Sequence, residues 1–343
     1  MSNIVSIEVN GSIYEGWQAF SMKRSIKDAA SSFSLEVTEE FGAFGEGFVL
    51  SAGDECLIAI DDEPVLTGYI DTYSTSIDES DHTVSVSGRS RTADLIDCSA
   101  MNEPANFFNQ SLLQIAKALV SPFGLEVIAG ERVEFPVIEK FELNQGESPY
   151  QAIERLARKN QTLVTDDIDG NLVLTNASSD RYSVDLELYK SAEVTRDYSD
   201  RFSIYLTKAQ QHGADFQDPL LASQVSAQVT DQEITRFRPK IIRAEGSATP
   251  AEALRRCTHE RNRNIVESIN LSIEVQGFTN SAGDLWMPNR LMWIVDEVLG
   301  IEHEFLLHTV EYNQSEAGTT CNLEFSLSSG FDLPATTEEI GTF

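Results

Sequence analysis

Residues 53–90 read as a strand, a tight acidic turn at Asp61, Asp62, Glu63 and Pro64, a long strand, a polar turn near Asp78 to Asp81, and a third strand. Val65, Tyr69, Tyr73, Val84 and Val86 alternate with Thr, Ser and Asp, the two-residue period of a half-buried antiparallel sheet. Residues 288–330 repeat the arrangement: strand, acidic turn, long strand, polar Gly turn, last strand. Leu57 to Asp61 aligns with Leu291 to Asp296, and Thr67 to Tyr73 with Leu307 to Tyr312. A shorter echo precedes each copy: Arg24-Ser25 then Phe33 to Val37, and Arg196-Asp197 then Phe202 to Leu206. A repeat of this kind implies two related all-β modules, the second interrupted by about eighty inserted residues.

The expected fold is therefore mainly β with α+β inserts: two related antiparallel β-barrel modules plus small helix-containing domains. The boundaries fall at 1–98 for the first module and 99–180 for a small α+β domain. Residues 181–210 and 284–330 make the second module, 211–283 an α+β insert, and 331–343 a tail.

The chain has 343 residues, 55 acidic and 25 basic, for a formal net charge of −30. Such a charge repels phosphate backbones at long range and argues against sequence-specific nucleic-acid binding; it suits an acidic passage through which DNA slides without sticking. No run reaches the ~20 apolar residues of a membrane helix, and the N-terminus lacks a basic-then-apolar leader, so a soluble chain made in a cytoplasm is expected, with no membrane insertion. Cys56, Cys98, Cys257 and Cys321 are far apart and read as isolated buried thiols, with neither a disulfide framework nor a zinc site.

Asn10-Gly11 between two short strands is a strong hairpin signal. The glycine-rich loop carrying Phe41, Phe44 and Phe48 either folds over a barrel end or forms a subunit contact. In the stretch GRSRTADLIDC, Thr92 is placed to cap a short helical turn with Leu95 and Ile96 inward, and Arg89 and Arg91 to pair with local carboxylates. Ser111 with Gln114, and Ser148 with Gln151, are capping boxes opening helices with apolar stripes. Thr162 to Asn176 is a hairpin turning at Asp169-Gly170. Arg236 and Arg238 flank a basic strand, and the helix starting near Pro250 carries Arg255, Arg256, Arg261 and Arg263. In so acidic a chain this cluster suggests a docking face for carboxylates, on the same subunit or a neighbour; the plainer reading is pairing within the chain on a solvated helix. Trp286 and Met287 lead into the repeated meander and complete the candidate subunit interface.

No catalytic, cofactor-binding or metal-binding constellation stands out. His303, Glu304 and His308 are one residue too widely spaced for a zinc-protease motif and lie on a strand. Asp167, Asp169 and Gly170 lack the bidentate glutamate of a calcium loop, and no phosphate-binding or nucleophile-elbow motif occurs.

The strings NGSIYEGWQAFSMKRSI, LTGYIDTYSTS, GRSRTADLIDC, DRFSIYLTK, TRFRPKIIRAE and LWMPNRL resemble the tail protein P (baseplate hub) family of Mu-like contractile-tailed phages and prophages, over nearly the whole chain. The resemblance implies a virion structural protein, assembled in the host cytoplasm as a homotrimer at the centre of the tail baseplate. Its two similar modules per subunit would make a pseudo-sixfold ring around a DNA channel, joining the tail tube and other baseplate proteins to a central spike. It implies no catalytic residues and no cofactor. The chain ends GTF, without the Lys-rich tail common in that family. A tail-associated peptidoglycan-degrading enzyme and a carbohydrate-binding adhesin are the competing classes; Trp17, Trp286 and Trp293 sit in apolar strand contexts that suit core or interface.

Overall fold

The computed structural model describes residues 4–39, 50–77, 82–160, 162–182, 189–210, 224–247 and 249–327. The first module comprises β1 (Val5–Val9), β2 (Ser12–Tyr14), β3 (Ala19–Ser25), β4 (Ser32–Glu39), β5 (Glu55–Ile60), β6 (Glu63–Ile77) and β7 (His82–Ser90), followed by α1 (Ala93–Asp97). Its turns follow from residues that tolerate positive φ: Asn10 and Gly11 at 53° and 76°, Asp61 and Asp62 at 51° and 67°. These close β1 on β2 and β5 on β6 with two-residue loops.

The repeated meander is β18 (Arg290–Asp296), β19 (Ile301–Ser315) and β20 (Gly318–Leu327). With β13 (Ser191–Arg196) and β17 (Ile269–Gln276), it belongs to the same 12-stranded sheet as the first module. The order runs β13-β17-β20-β19-β3-β4-β7-β6-β5-β1-β2, with β18 alongside β19. The described strands form one open path, not two closed barrels. β3 lies antiparallel to β4 on one edge and to β19 on the other, so the edge that would close a separate first barrel is taken by the second meander.

Strand order corrects the expected echo. β3-β4-β7-β6-β5 is matched by β13-β17-β20-β19-β18. Arg24 at the end of β3 thus corresponds to Arg196 at the end of β13, as the sequence suggests. The counterpart of β4, however, is β17, not the segment Phe202 to Leu206. That segment enters β14 (Ile204–Gln210), the centre of a separate three-stranded sheet with β15 (Gln224–Thr230) and β16 (Pro239–Ser247). The insertion therefore runs from the end of β13 to the start of β17; the boundary expected at 210–211 instead separates β14 from β15 and β16 of its own sheet, and the one at 283–284 lies in the loop between β17 and β18. Alternation alone misled here, because β14 and β17 have the same period and only hydrogen bonding separates them.

Two compact units result, Met1–Ala192 with Ser272–Phe325, and Glu193–Leu271 with Ser326–Phe343. In the second, α4 (Pro250–Glu267) packs on the three-stranded sheet over Tyr205, Ile242 and Cys257. The first also holds the small α+β domain: β8 (Asn106–Ser111), α2 (Leu112–Val120), β9 (Val127–Ala129), β10 (Val137–Glu142), α3 (Pro149–Asn160), β11 (Leu163–Asp166) and β12 (Leu172–Thr175). Both capping boxes form. Ser111 Oγ accepts from Gln114 N while Gln114 Oε1 accepts from Ser111 N, and Ser148 and Gln151 do the same. The apolar stripes of α2 and α3, with Leu172 and Leu174, make one core.

At α1 the expectation is half met. Leu95 is buried, but Ile96 is 36% exposed, and Thr92 makes no side-chain cap bond. Its hydroxyl is engaged by Ser90 Oγ at 2.8 Å, because both side chains are enclosed against the small domain. Cys98 is exposed, unlike the other three cysteines, since it lies just past this short helix.

Glycine is required where β4, β6 and β7 cross. A Cβ on Gly88 would meet the Tyr69 carbonyl and stand 2.8 Å from the Phe33 ring, which lies over the glycine. Substituting Gly88→Ala should lower stability by about 2 kcal/mol, read as a reduced denaturant midpoint, whereas an unchanged midpoint would show that the ring can move aside.

Candidate interaction surfaces

A polar relay that starts at the exposed Lys27 and runs inward joins the two meanders and the small domain. Lys27 Nζ lies 3.1 Å from His308 Nε2, His308 Nδ1 is 2.9 Å from Thr309 Oγ1, and Thr309 Oγ1 donates to Ser25 Oγ at 2.9 Å. Burial, and then the Lys27 charge, push the His308 pKa down to about 3. The imidazole is therefore neutral, accepting from the ammonium at Nε2 and donating from Nδ1. The Ser25 carbonyl accepts from Thr165 Oγ1 in the small domain at 3.1 Å.

Next to it, Asp166 accepts from the backbone N and the hydroxyl of Ser31, at 2.9 and 3.0 Å. Desolvation raises the Asp166 carboxyl above the ordinary range, opposed by hydrogen bonds from Ser90 and Ser31 and by the Arg24 charge. Gly170, at φ 76°, brings the Asp169-Gly170 turn against the Thr67 carbonyl and Arg91. Both ring nitrogens of His308 are thus taken, and among the described residues no group of three or more His, Cys, Asp or Glu side chains is placed to hold a metal ion. Changing Asp166→Ala removes the acceptor of the Ser31 hydroxyl and leaves Ser31 N only its longer bond to Ser90 Oγ, which should cost about 2 kcal/mol, with Asp166→Asn milder because its amide oxygen still accepts; thermal melts of both variants check the order.

A cleft of about 410 Å³ opens beside the relay, lined by Gly53, Tyr69, Ile70, Asp71, Arg89, Ser90, Ala93 and Asp94. A β-bulge between Ile70 and Thr72 leaves Asp71 unpaired in the ladder, with its carboxylate on Arg89 Nε at 2.6 Å. Asp97 takes Arg89 Nη2 at 2.6 Å, and that bond holds the Asp97 carboxyl below its ordinary range. Arg91 Nε lies 3.7 Å from Glu55. Arg89 and Arg91 of the motif GRSRTADLID are thus paired with carboxylates, as the sequence suggests.

The interface candidates separate. Phe41, Phe44 and Phe48 lie outside the described residues. Trp286 is buried at 4% exposure, edge-on to Tyr182 at 5.1 Å, and its carbonyl accepts from Tyr312 Oη, so its ring is core and offers no surface to a neighbour. Met287 is half-buried, with Sδ 3.5 Å from Arg24 Nη1. Arg238 donates to the carbonyls of Ser199 and Arg201 and stands over the Phe202 ring. Arg256 faces Glu260 at 4.0 Å, Arg263 faces Glu267 at 2.8 Å, and Arg261 donates to Asn262. Only Arg236 and Arg255 of the six arginines are exposed with no ion-pair or hydrogen-bond partner among the described residues.

Sequence reasoning missed the buried Arg201, which Asp231 meets with two bonds of 2.9 Å and Glu233 at 2.8 Å. Residues 193–271 hold eleven basic and eleven acidic residues, so the whole −30 falls on the other 264 residues, with 14 basic and 44 acidic. Of the tryptophans, Trp17 is core, whereas Trp293 is 55% exposed and stacked on His303. Replacing Arg238→Ala should destabilise the second unit by about 2 kcal/mol, while Arg255→Ala should stay within about 0.5 kcal/mol; urea titration separates a structural arginine from a solvated one.

Comparison with known proteins places these features. Residues 4–90 match the N-terminal domain described as Mu phage baseplate assembly protein GpP-like, 92–176 the second domain of baseplate hub protein gp44-like, and 249–334 the fourth domain of Mu phage baseplate assembly protein GpP. The baseplate hub protein gp44 of Escherichia phage Mu is 34% identical over 302 residues, covering 86% of this chain and 79% of that protein. The 43 kDa tail protein of prophage MuSo2 from Shewanella oneidensis has a TM-score of 0.87 and 35% identity, with 96% of this chain and all of that one covered. A tail protein from Neisseria meningitidis MC58 shares the fold, at TM-score 0.80 and 23% identity, covering 96% and 99%. These relatives are structural components of phage tails, not enzymes. This chain belongs to the family of Mu-type baseplate hub proteins.

Proposed function

We propose that the chain forms a homotrimeric ring that joins the tail tube to the central spike and surrounds the DNA channel. One observation carries the reading: two meanders of matching strand order are fused edge to edge through β19 and β3 in a single chain. Each subunit then supplies two similar modules, and three subunits supply six, the arrangement needed between a sixfold tube and a threefold spike. The charge distribution supports a channel. With 44 acidic residues outside the inserted unit, a wall built from that part repels the DNA backbone. No membrane contact is required, and among the described residues no helix is long and apolar enough to cross a membrane. Assembly in the host cytoplasm followed by incorporation into the virion completes the proposal.

Light scattering of the purified chain tests it. The expected particle mass is three times 38.0 kDa at micromolar concentration, and a monomer at all concentrations would contradict the ring.

A further inference from the structure

We propose that the outer edge of β6 from Asp71 to Ile77 is an assembly edge, occupied by strand β13 of a second copy of this chain. The inference rests on the ring reading and names the surface that closes it.

The seam within the chain is the template. β19 holds β18 against residues 301–307, and β3 against Thr309 to Gln314 on the same side. β6 likewise holds β5 against its first half, as far as Tyr69. Beyond Tyr69 that side has no strand partner among the described residues, while β7 follows the opposite side to Ile77. Burial records the difference. Thr309, Val310 and Tyr312 are buried, whereas residues 71–77 are exposed apart from the half-buried Tyr73, and Ile77 is 66% exposed.

The partner strand follows from the strand order. β13 stands in the second module where β3 stands in the first. β3 has its outer edge on β19; β13 ends the sheet path, with Ser191, Glu193, Thr195 and Arg196 exposed. Among the described residues, one half-strand lacks its β3, and one β3-like strand lacks its half-strand. Since both sit in every copy, the contact is heterologous and can close a ring, alternating with the in-chain seam.

The edge is also built to pair. Solvent-facing edges usually carry Lys, Pro or inward charges that block strand addition. Thr72 to Ile77, TYSTSI, has no charge and no proline, in a chain with 23% charged residues. Its residues are mostly β-branched, aromatic or small hydroxylic types that suit a paired strand.

Hydrogen exchange with mass-spectrometric readout, on the full chain diluted to monomer and concentrated to the assembled state, tests the pairing. Peptides covering 71–77 and 191–196 should both slow on assembly, the affected amides by about 100-fold or more. A second measurement uses Ser74→Pro and Thr75→Pro separately. Neighbouring residues of an edge strand point their N–H groups to opposite sides, so one proline removes only an outward donor. That variant should melt near the wild type yet lose assembly. A trimer in which neither segment slows, or in which both prolines assemble normally, overturns the pairing and leaves the ring standing. Protection of 71–77 without 191–196 assigns the edge to a different strand and also overturns it. A chain that never assembles removes the ring reading itself.

Discussion

The antiparallel seam between β3 and β19 is the interaction on which the rest depends, because it makes two meanders one body. Pairing from Ser25–Thr309 to Phe20–Gln314 fixes the register. The relay from Lys27 through His308 and Thr309 to Ser25 locks it with hydrogen bonds. A one-residue slip would turn Phe20 and Met22, both buried, to the other face. The neutral state of His308 matters: an imidazolium on this buried ring would lie 3.1 Å from the like charge of Lys27. Asp166 and Thr165 tie the small domain to this seam, so three parts of the chain meet at one buried polar cluster. Such a cluster gives specificity only when every member is satisfied, which is why removing single partners is costly.

Charge is distributed with the same division of labour. The inserted unit is formally neutral, and its arginines mostly serve its own packing: Arg201 on Asp231 and Glu233, Arg238 on backbone carbonyls, Arg263 on Glu267. The remainder carries the −30. At physiological salt the Debye length is about 8 Å, so distant acidic residues on neighbouring copies repel one another weakly. The proposed pairing of β6 with β13 is a neutral, hydrogen-bonded contact and calls for no large count of ion pairs across the interface.

The meanders, the two two-residue turns and both capping boxes were legible in the sequence because each depends on local chemistry: period two, positive-φ residues, and a Ser three residues before a Gln. The local pairing of Arg89 was legible too, since carboxylates lie close in sequence at Asp97 and across the hairpin at Asp71, whereas the partner of Arg91, Glu55, comes from a strand 36 residues earlier. What sequence could not resolve was partnership between strands of the same period. Phe202 to Leu206 resembles Phe33 to Val37, yet β17 takes that position, because hydrogen bonding to β20 is set by tertiary packing. Trp286 suited either core or interface from its apolar context, and only the fold decides for core, because Tyr182 and Tyr312, 104 and 26 residues away, enclose it. The Arg201 cluster gave no local signal, its partner Asp231 lying 30 residues on.

A reconstruction of the assembled particle by electron cryomicroscopy, computed without imposed symmetry, tests the fused-module reading most directly. Three chains should place six meanders at equal radius, about 60° apart, as closure of a ring by two equivalent modules per subunit demands. The β3–β19 seam should be intact in every chain. Meanders of one chain at unequal distances from the axis, or a particle with only three equivalent sheet modules around its channel, would contradict it.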